Sequence, residues 1–314
     1  MRRIWALLLT AVMLMFSALP ARAADAALDR VRAAGLVRCG AEAKPGVAWP
    51  MLDGQIVGLA VDLCRAVGVA VLGPGGRVGF RIYGSDRDFD AVRHGTDDLS
   101  FLTGDAVAGQ SLAANILPGP VVFIERIALM VPETAPVHDI SDLDGRPVCL
   151  LIGSAAQRAL EAAVNRNHLT IARLSFGEEV EMLDAYNAQR CQAVVGEATQ
   201  LAAMRRAGSI SRLRSRLLPA SLALSPLIAA TSVSDGHWSA LVAWIMDALI
   251  LGDRLALPAR GPLPGLRPAW RSEMEAEVGG YGAIVRRNLT EPLGLDPGPN
   301  APWPDGLLLP LSAQ

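Results

Sequence analysis

The apolar positions of the first hundred residues change period in a regular way. Leu36, Val37 and Cys39 form a short apolar run, the pattern of a buried strand. After Gly58 apolar residues recur at Val61, Leu63/Cys64, Val67 and Val71 with near-helical spacing, and Asp62 stands where a helix begins. The spacing predicts a helix over 61–72, ended by the turn cluster Gly73-Pro74-Gly75-Gly76. A short helix over 26–32 precedes this unit. Alternation over 78–83 predicts a strand, 88–93 a helix closed by His94-Gly95, and 98–102 another strand. This βαβα rhythm predicts a mostly parallel sheet covered by helices on both faces.

A long β-rich run over 121–131 follows, then a polar, turn-forming stretch over 139–145. A second series begins there: strand 147–152, helix 155–165 after Gly153-Ser154, strand 172–176, helix 179–189, strand 192–195 and helix 199–207. The run 225–230 predicts a second crossover strand, before a helix over 237–251. A segment entered and left by strands near 131 and 228 makes an inserted lobe, and a chain that crosses twice between α/β lobes encloses a hinged cleft. The expected organisation is lobe 1 from 24–130 plus 229–314 with a C-terminal extension, and lobe 2 from 131–228. From Pro258 onward the chain is rich in proline and glycine.

The N-terminus bears on compartment. Met1-Arg2-Arg3 is basic, 4–19 is apolar, and Ala21-Arg22-Ala23 is a small-x-small cleavage site. The run is short for a membrane span, which needs about 20 residues, so 1–23 is expected to be a removable signal peptide. The first cysteine is Cys39, too far on for a lipoprotein anchor. The expected mature protein is exported, periplasmic, and long enough for two lobes. A net charge of −2 argues against a nucleic-acid partner. Lys44 is the only lysine, which reads as base-composition bias rather than function.

Four cysteines in an exported chain point to disulfides, with three connectivities open. Cys39 ends a predicted strand and Cys64 lies on the helix after it, so these two can meet within one lobe. Cys149 lies in a buried-strand pattern and Cys191 precedes another. The expected pairs are Cys39–Cys64 and Cys149–Cys191. No cysteine pair has zinc-ligand spacing and the four histidines are scattered, so neither metal nor cofactor is expected.

The wording of the strand-to-helix entry, G-x-x-V-D-L-C-R-A-V over 58–67, resembles the first lobe of periplasmic solute-binding proteins of polar amino-acid ABC transporters, closest to the general L-amino-acid-binding branch. Leu28-Asp29-Arg30-Val31-Arg32 resembles that family's opening, and Arg190-Cys191 its R-C-D element. The tail is similar through Gly280-Tyr281-Gly282, Arg287-Asn288, Leu293-Gly294-Leu295 and Asn300-Ala301-Pro302-Trp303. The resemblance covers nearly the whole mature chain, and the four cysteines fall where this branch also tends to carry them. It implies an α/β, two-lobed Venus-flytrap fold with two crossover strands, no enzymatic activity, and a monomer that meets an inner-membrane permease transiently.

The pocket departs from the family. There, T-x-T-x-x-R grips the ligand α-carboxylate; here Thr103 remains, Asp105 takes a hydroxyl position and Gln110 the arginine position. Ser154 keeps one hydroxyl of the second-lobe turn, Glu197 takes the place of the acid that meets the ligand ammonium, and Glu42 offers another ammonium contact. Trp49 lies near the ring-stacking position, and Arg126 is able to replace the lost arginine or to pair with Glu125. The resemblance therefore implies the binding subunit of an ABC importer for a small polar solute, amino-acid-like or amine; a cleft walled by negative charge without a guanidinium points to an amine or other cation rather than an ordinary α-amino acid. Simpler roles stay open: Asp105 as a turn or helix cap, Gln110 as a solvated side chain, Glu197 and Ser154 as N-caps, and Trp49 as a cover over the cleft. The alternative function is a binding-protein fold reused as an accessory to a periplasmic enzyme system, binding little or no small molecule. A catalytic reading has only a carboxylate pair, Asp105 and Glu197, and no nucleophile–base–orienter set.

Overall fold

A computed structural model describes residues 26–84, 89–108, 115–206, 214–252 and 264–308. The expected signal peptide and Gln110 lie outside the described residues. Among the described residues ten strands follow in order: β1 Leu36–Glu42, β2 Trp49–Pro50, β3 Ile56–Val57, β4 Arg77–Tyr83, β5 Leu99–Thr103, β6 Ile116–Pro132, β7 Pro147–Leu151, β8 Ala172–Phe176, β9 Ala193–Glu197 and β10 Ser215–Ser232. The helices are α1 Ala26–Ala34, α2 Leu59–Leu72, α3 Asp90–Arg93, α4 Gly104–Val107, α5 Ala155–Asn167, α6 Glu179–Asn187, α7 Ala198–Arg206, α8 Gly236–Leu251, α9 Trp270–Val278, α10 Tyr281–Val285 and α11 Glu291–Leu293. No helix among the described residues is long and apolar enough to cross a membrane.

The strand order is β4-β1-β5-β10-β6-β9-β7-β8, with β2–β3 a separate hairpin. At one end β1 pairs β4 and β5 in parallel; at the other β7 pairs β8 and β9 in parallel. Between them β6 and β10 run antiparallel along almost their whole length, and each is antiparallel to its outer neighbour. Two parallel α/β units are thus joined by one antiparallel ribbon, which carries four register shifts.

Each unit has its own apolar core. The largest cluster packs Leu59, Leu63 and Val67 of α2 and Trp238, Ile245 and Leu249 of α8 around β1 and β5, and draws in Met274, Tyr281 and Ile284 of the C-terminal segment. In the second unit Leu150, Leu160 and Ala193 centre one cluster, and Tyr186, Met182 and Val194 another on the opposite side of the sheet. Cys39 on β1 is bonded to Cys64 on α2, and Cys149 on β7 to Cys191 just before β9. Each disulfide thus joins a strand to a neighbouring element of its own unit.

Three differences from the sequence pattern have physical causes. Helix α2 starts at Leu59 rather than Val61, because Gly58 already turns the chain. Strand β10 begins at Ser215, ten residues before the apolar run, and it contains Pro219. A proline that gives no ladder N–H argues against a strand; here the register breaks between Leu217 and Ser221 and accommodates it. The proline-rich tail holds α9, whose Trp270, Met274 and Val278 are buried at a spacing of four residues.

Candidate functional site

The signature around Gly58 does its work through the loop before it. Gly58 has φ 141°, and a Cβ there would stand 2.2 Å from the Val47 carbonyl oxygen, so the close approach requires glycine. The first-turn N–H groups of Leu59 and Ala60 donate to the carbonyls of Gly46 and Val47 at 2.9 Å. Lys44 N–H donates to Ala48 O, and Lys44 O accepts from Val47 and Ala48. The start of α2 therefore clamps the turn that follows Glu42. It fixes the Lys44 backbone so that its side chain runs inward.

Lys44 is 8 % exposed, and its Nζ donates to Glu197 Oε1 at 2.8 Å. Glu197 ends β9, so the bond spans the two units. Behind it Glu125, 3 % exposed on β6, accepts from Thr199 Oγ1 at 2.5 Å and from the Arg126 and Thr199 N–H groups at 3.0 and 3.4 Å. Burial alone would pull the Lys44 ammonium below its ordinary value. The carboxylates of Glu197, Glu125 and Glu42 outweigh burial, and the net direction is upward. Burial pushes the Glu125 carboxyl up, Lys44 opposes this, and Glu197 adds to it.

In front of this network lies a cavity of about 500 Å³ between the two units. Glu42, Thr103 and Asp105 line it from one side, and Ser154, Arg158, Met182, Glu197, Gln200 and Met204 from the other. Thr103 caps α4, its Oγ1 accepting from Ala106 N–H at 3.3 Å. The cap is therefore not Asp105, whose carboxylate faces Arg158 across the gap with Nη2–Oδ2 3.6 Å. Ser154 caps α5, accepting from Gln157 N–H and donating to Leu151 O. Arg158 sits one turn along α5 and also donates Nη1 to Gly153 O at 3.2 Å.

Glu42, Thr103, Asp105, Ser154 and Glu197 thus come together on one cavity. Trp49 does not join them; it is on the β2–β3 hairpin and lines a second, adjoining cavity. Arg126 turns away and donates Nη1 to Pro219 O at 2.9 Å, so it is no substitute for the missing arginine. The absence of a guanidinium expected from the sequence is corrected: Arg158 supplies one from the opposite unit. Reading Lys44 as a compositional accident is corrected too, because its buried ammonium holds Glu197, an acid of the cleft wall. Both residues carried a signal. Lys44 is the lone lysine two positions past a candidate acid, and Arg158 lies four residues after a candidate N-cap, hence on the same helix face.

No family model matches the chain. It is 25% identical over 314 residues, 90% of this chain and 91% of the other, to YhdW of Escherichia coli (strain K12), whose name assigns it provisionally as an amino-acid ABC transporter-binding protein. It is 26% identical over 311 residues, 89% of this chain and 90% of the other, to the general L-amino acid-binding periplasmic protein AapJ of Rhizobium johnstonii. In fold it matches an ABC transporter periplasmic binding protein from Brucella ovis, solved with glutathione bound. The TM-score is 0.72 and the identity 22%, across 91% of this chain and 99% of that one. These relatives are solute-binding proteins, not enzymes.

Proposed function

We propose that this chain, similar over 90% of its length to amino-acid ABC transporter-binding proteins and built on the two-lobed fold of periplasmic binding proteins, is the solute-binding component of an ABC importer. On this reading residues 1–23 direct export. The lobes are 24–130 plus 229–314 and 131–228, and a solute-closed form meets the permease as a monomer. The solute is a small amino-acid-like zwitterion. One observation carries that choice: the carboxylates of Glu42 and Asp105 from one unit, and the carboxylate of Glu197 and the guanidinium of Arg158 from the other, line the same cavity. An arginine takes a carboxylate through two parallel charge-assisted bonds, while the acids receive an ammonium. An entering carboxylate competes with Asp105 for Arg158, and an entering ammonium with Lys44 for Glu197.

Titration calorimetry with the twenty common L-amino acids and their decarboxylated amines tests this. At least one amino acid should bind tenfold or more tightly than its own amine, and Arg158→Ala should erase the difference. Equal binding of amines would instead favour a cation binder.

A second reading, an accessory protein without solute, draws on the same geometry, since Asp105 and Glu197 already hold cations of the chain itself. A ligand stabilises by RT ln(1 + [L]/Kd). A thermal-shift panel that stays silent across both sets of compounds would select the accessory role.

A further inference from the structure

The charged cleft shares two wall residues with a second cavity. Gln200 and Met204, on successive turns of α7, line both this cavity and a larger one of about 760 Å³ on the other side of the helix edge. The second cavity is also formed across the two units. The β2–β3 hairpin contributes Trp49, Ile56 and Val57, α2 contributes Val61 and Arg65, α7 and α6 contribute Ala203 and Glu179, and the C-terminal segment closes it with Arg287 and Leu293. Its lining is largely apolar. Trp49, Met51 and Val57 are large apolar side chains that the hairpin leaves 42%, 49% and 41% exposed toward this space. Its charged groups are Glu179, which accepts from Gln200 Nε2 at 2.7 Å, and a cluster in which Arg65 Nη1 and Arg287 Nη2 lie 3.4 and 2.7 Å from the oxygens of a single carboxylate, Asp62.

A free amino acid held at Glu42, Asp105, Glu197 and Arg158 would leave this second space unused. We propose that the second cavity is a subsite of the same binding site and that the solute is a short L-peptide with an apolar second residue. The α-ammonium end lies among the acids of the first cavity, the chain passes Met204 and Gln200, and the apolar side chain packs against Trp49 and Val57. The first residue's carbonyl, part of the peptide bond, accepts from Arg158 where a free amino acid would place its carboxylate, and the terminal carboxylate lies toward Arg65 and Arg287. A guanidinium pair that shares one acid keeps net positive charge for that carboxylate, and the apolar lining gains from covering a side chain of matching character. A bare hydrocarbon tail would satisfy the lining and waste the guanidinium end. This inference deepens the solute-importer reading and rests on it.

The test is calorimetry of the mature protein with a panel of L-dipeptides Xaa-Phe beside the free L-amino acids Xaa and L-phenylalanine. At least one dipeptide should bind tenfold or more tightly than either free component. Val57→Trp, which fills the second cavity from an exposed strand, should lower the dipeptide-to-amino-acid affinity ratio at least tenfold, and Val57→Asp should lower it in the same sense. Free amino acids binding as tightly as every dipeptide would overturn the subsite and leave the importer reading standing. An unchanged ratio in both variants would do the same. No binding by either set would overturn both.

Discussion

Lys44 and Glu197, 153 residues apart, meet at 2.8 Å and tie one half of the molecule to the other beneath the cleft. The contact is electrostatically crowded, since Glu125 stands buried behind it and Glu42 beside it. One ammonium therefore compensates several carboxylates. Separating the halves exposes the whole group to water, so the contact opposes opening while it also holds the acid that a solute ammonium needs.

Replacing this lysine should be costly. Lys44→Met leaves Glu125 and Glu197 facing each other without a cation, and breaking a buried pair from one side costs about 3–5 kcal/mol. The lower end is expected because the Glu197 side chain is 31% exposed. Chemical denaturation of Lys44→Met and of Lys44→Met/Glu197→Gln should show the double variant recovering part of the loss. Small-angle scattering should show a larger radius of gyration for the single variant. A loss below about 1 kcal/mol would place the contact among ordinary surface ion pairs.

Alkaline pH should act through groups that are buried uncharged or paired. The chain has three tyrosines, and burial raises all of them from the ordinary 10.0: Tyr83 and Tyr281 far upward, and Tyr186 to about 12. A group raised in the folded state contributes stability that is whole below its unfolded value and fades as pH climbs through the folded one. Lys44, raised from 10.5, has the same sign. Stability should therefore fall steadily above pH 10, and tyrosinate absorbance should rise together with loss of the circular dichroism signal. Tyrosinate forming in a still-folded protein would contradict the burial of these side chains.

The Arg158–Asp105 pair should behave oppositely to the Lys44 pair. Its side chains are 60% and 68% exposed, so Arg158→Ala should change thermal stability by less than about 1 kcal/mol. Its expected effect is on solute affinity, with a shallower salt dependence of binding because one charged contact is gone. A stability loss comparable to that of Lys44→Met would show that Arg158 braces the fold rather than receives a carboxylate.

Asp62 anchors the C-terminal segment. Its carboxylate accepts from Arg287 Nε and Nη2, from Asn288 Nδ2 and from Arg65 Nη1. Asp62→Asn removes the charge that two guanidiniums share and should cost about 2–4 kcal/mol, since charge-assisted bonds are worth about 1.5–3 kcal/mol each and are only partly replaced by an amide. Limited proteolysis should then cut within 279–308 before the rest of the chain. Unchanged resistance there would show that apolar packing of Tyr281, Ile284 and Leu289 holds the segment without the carboxylate.

Much of this protein was readable along the chain because it depends on near neighbours. The switch of period at Gly58 marks the entry into α2, the buried-strand runs mark β1, β7 and β9, and the acids at strand ends fall on the cleft because parallel strands deliver their C-terminal ends to a common edge. The order of motifs gave Glu42, Thr103, Asp105, Ser154 and Glu197, and the structure sets these five around one cavity. Only the tertiary fold decided what charge those acids face. Whether Lys44 points to solvent or into the cleft depends on a glycine fourteen residues later clamping its loop, and on a glutamate supplied by the opposite lobe. Whether Arg158 or Arg126 supplies the guanidinium depends on where the Arg126 side chain turns on the ribbon, to Pro219 O, and on α5 lying against the cleft. Periodicity records which face of an element is buried. It holds no record of the distance between side chains on elements that meet only when two halves close.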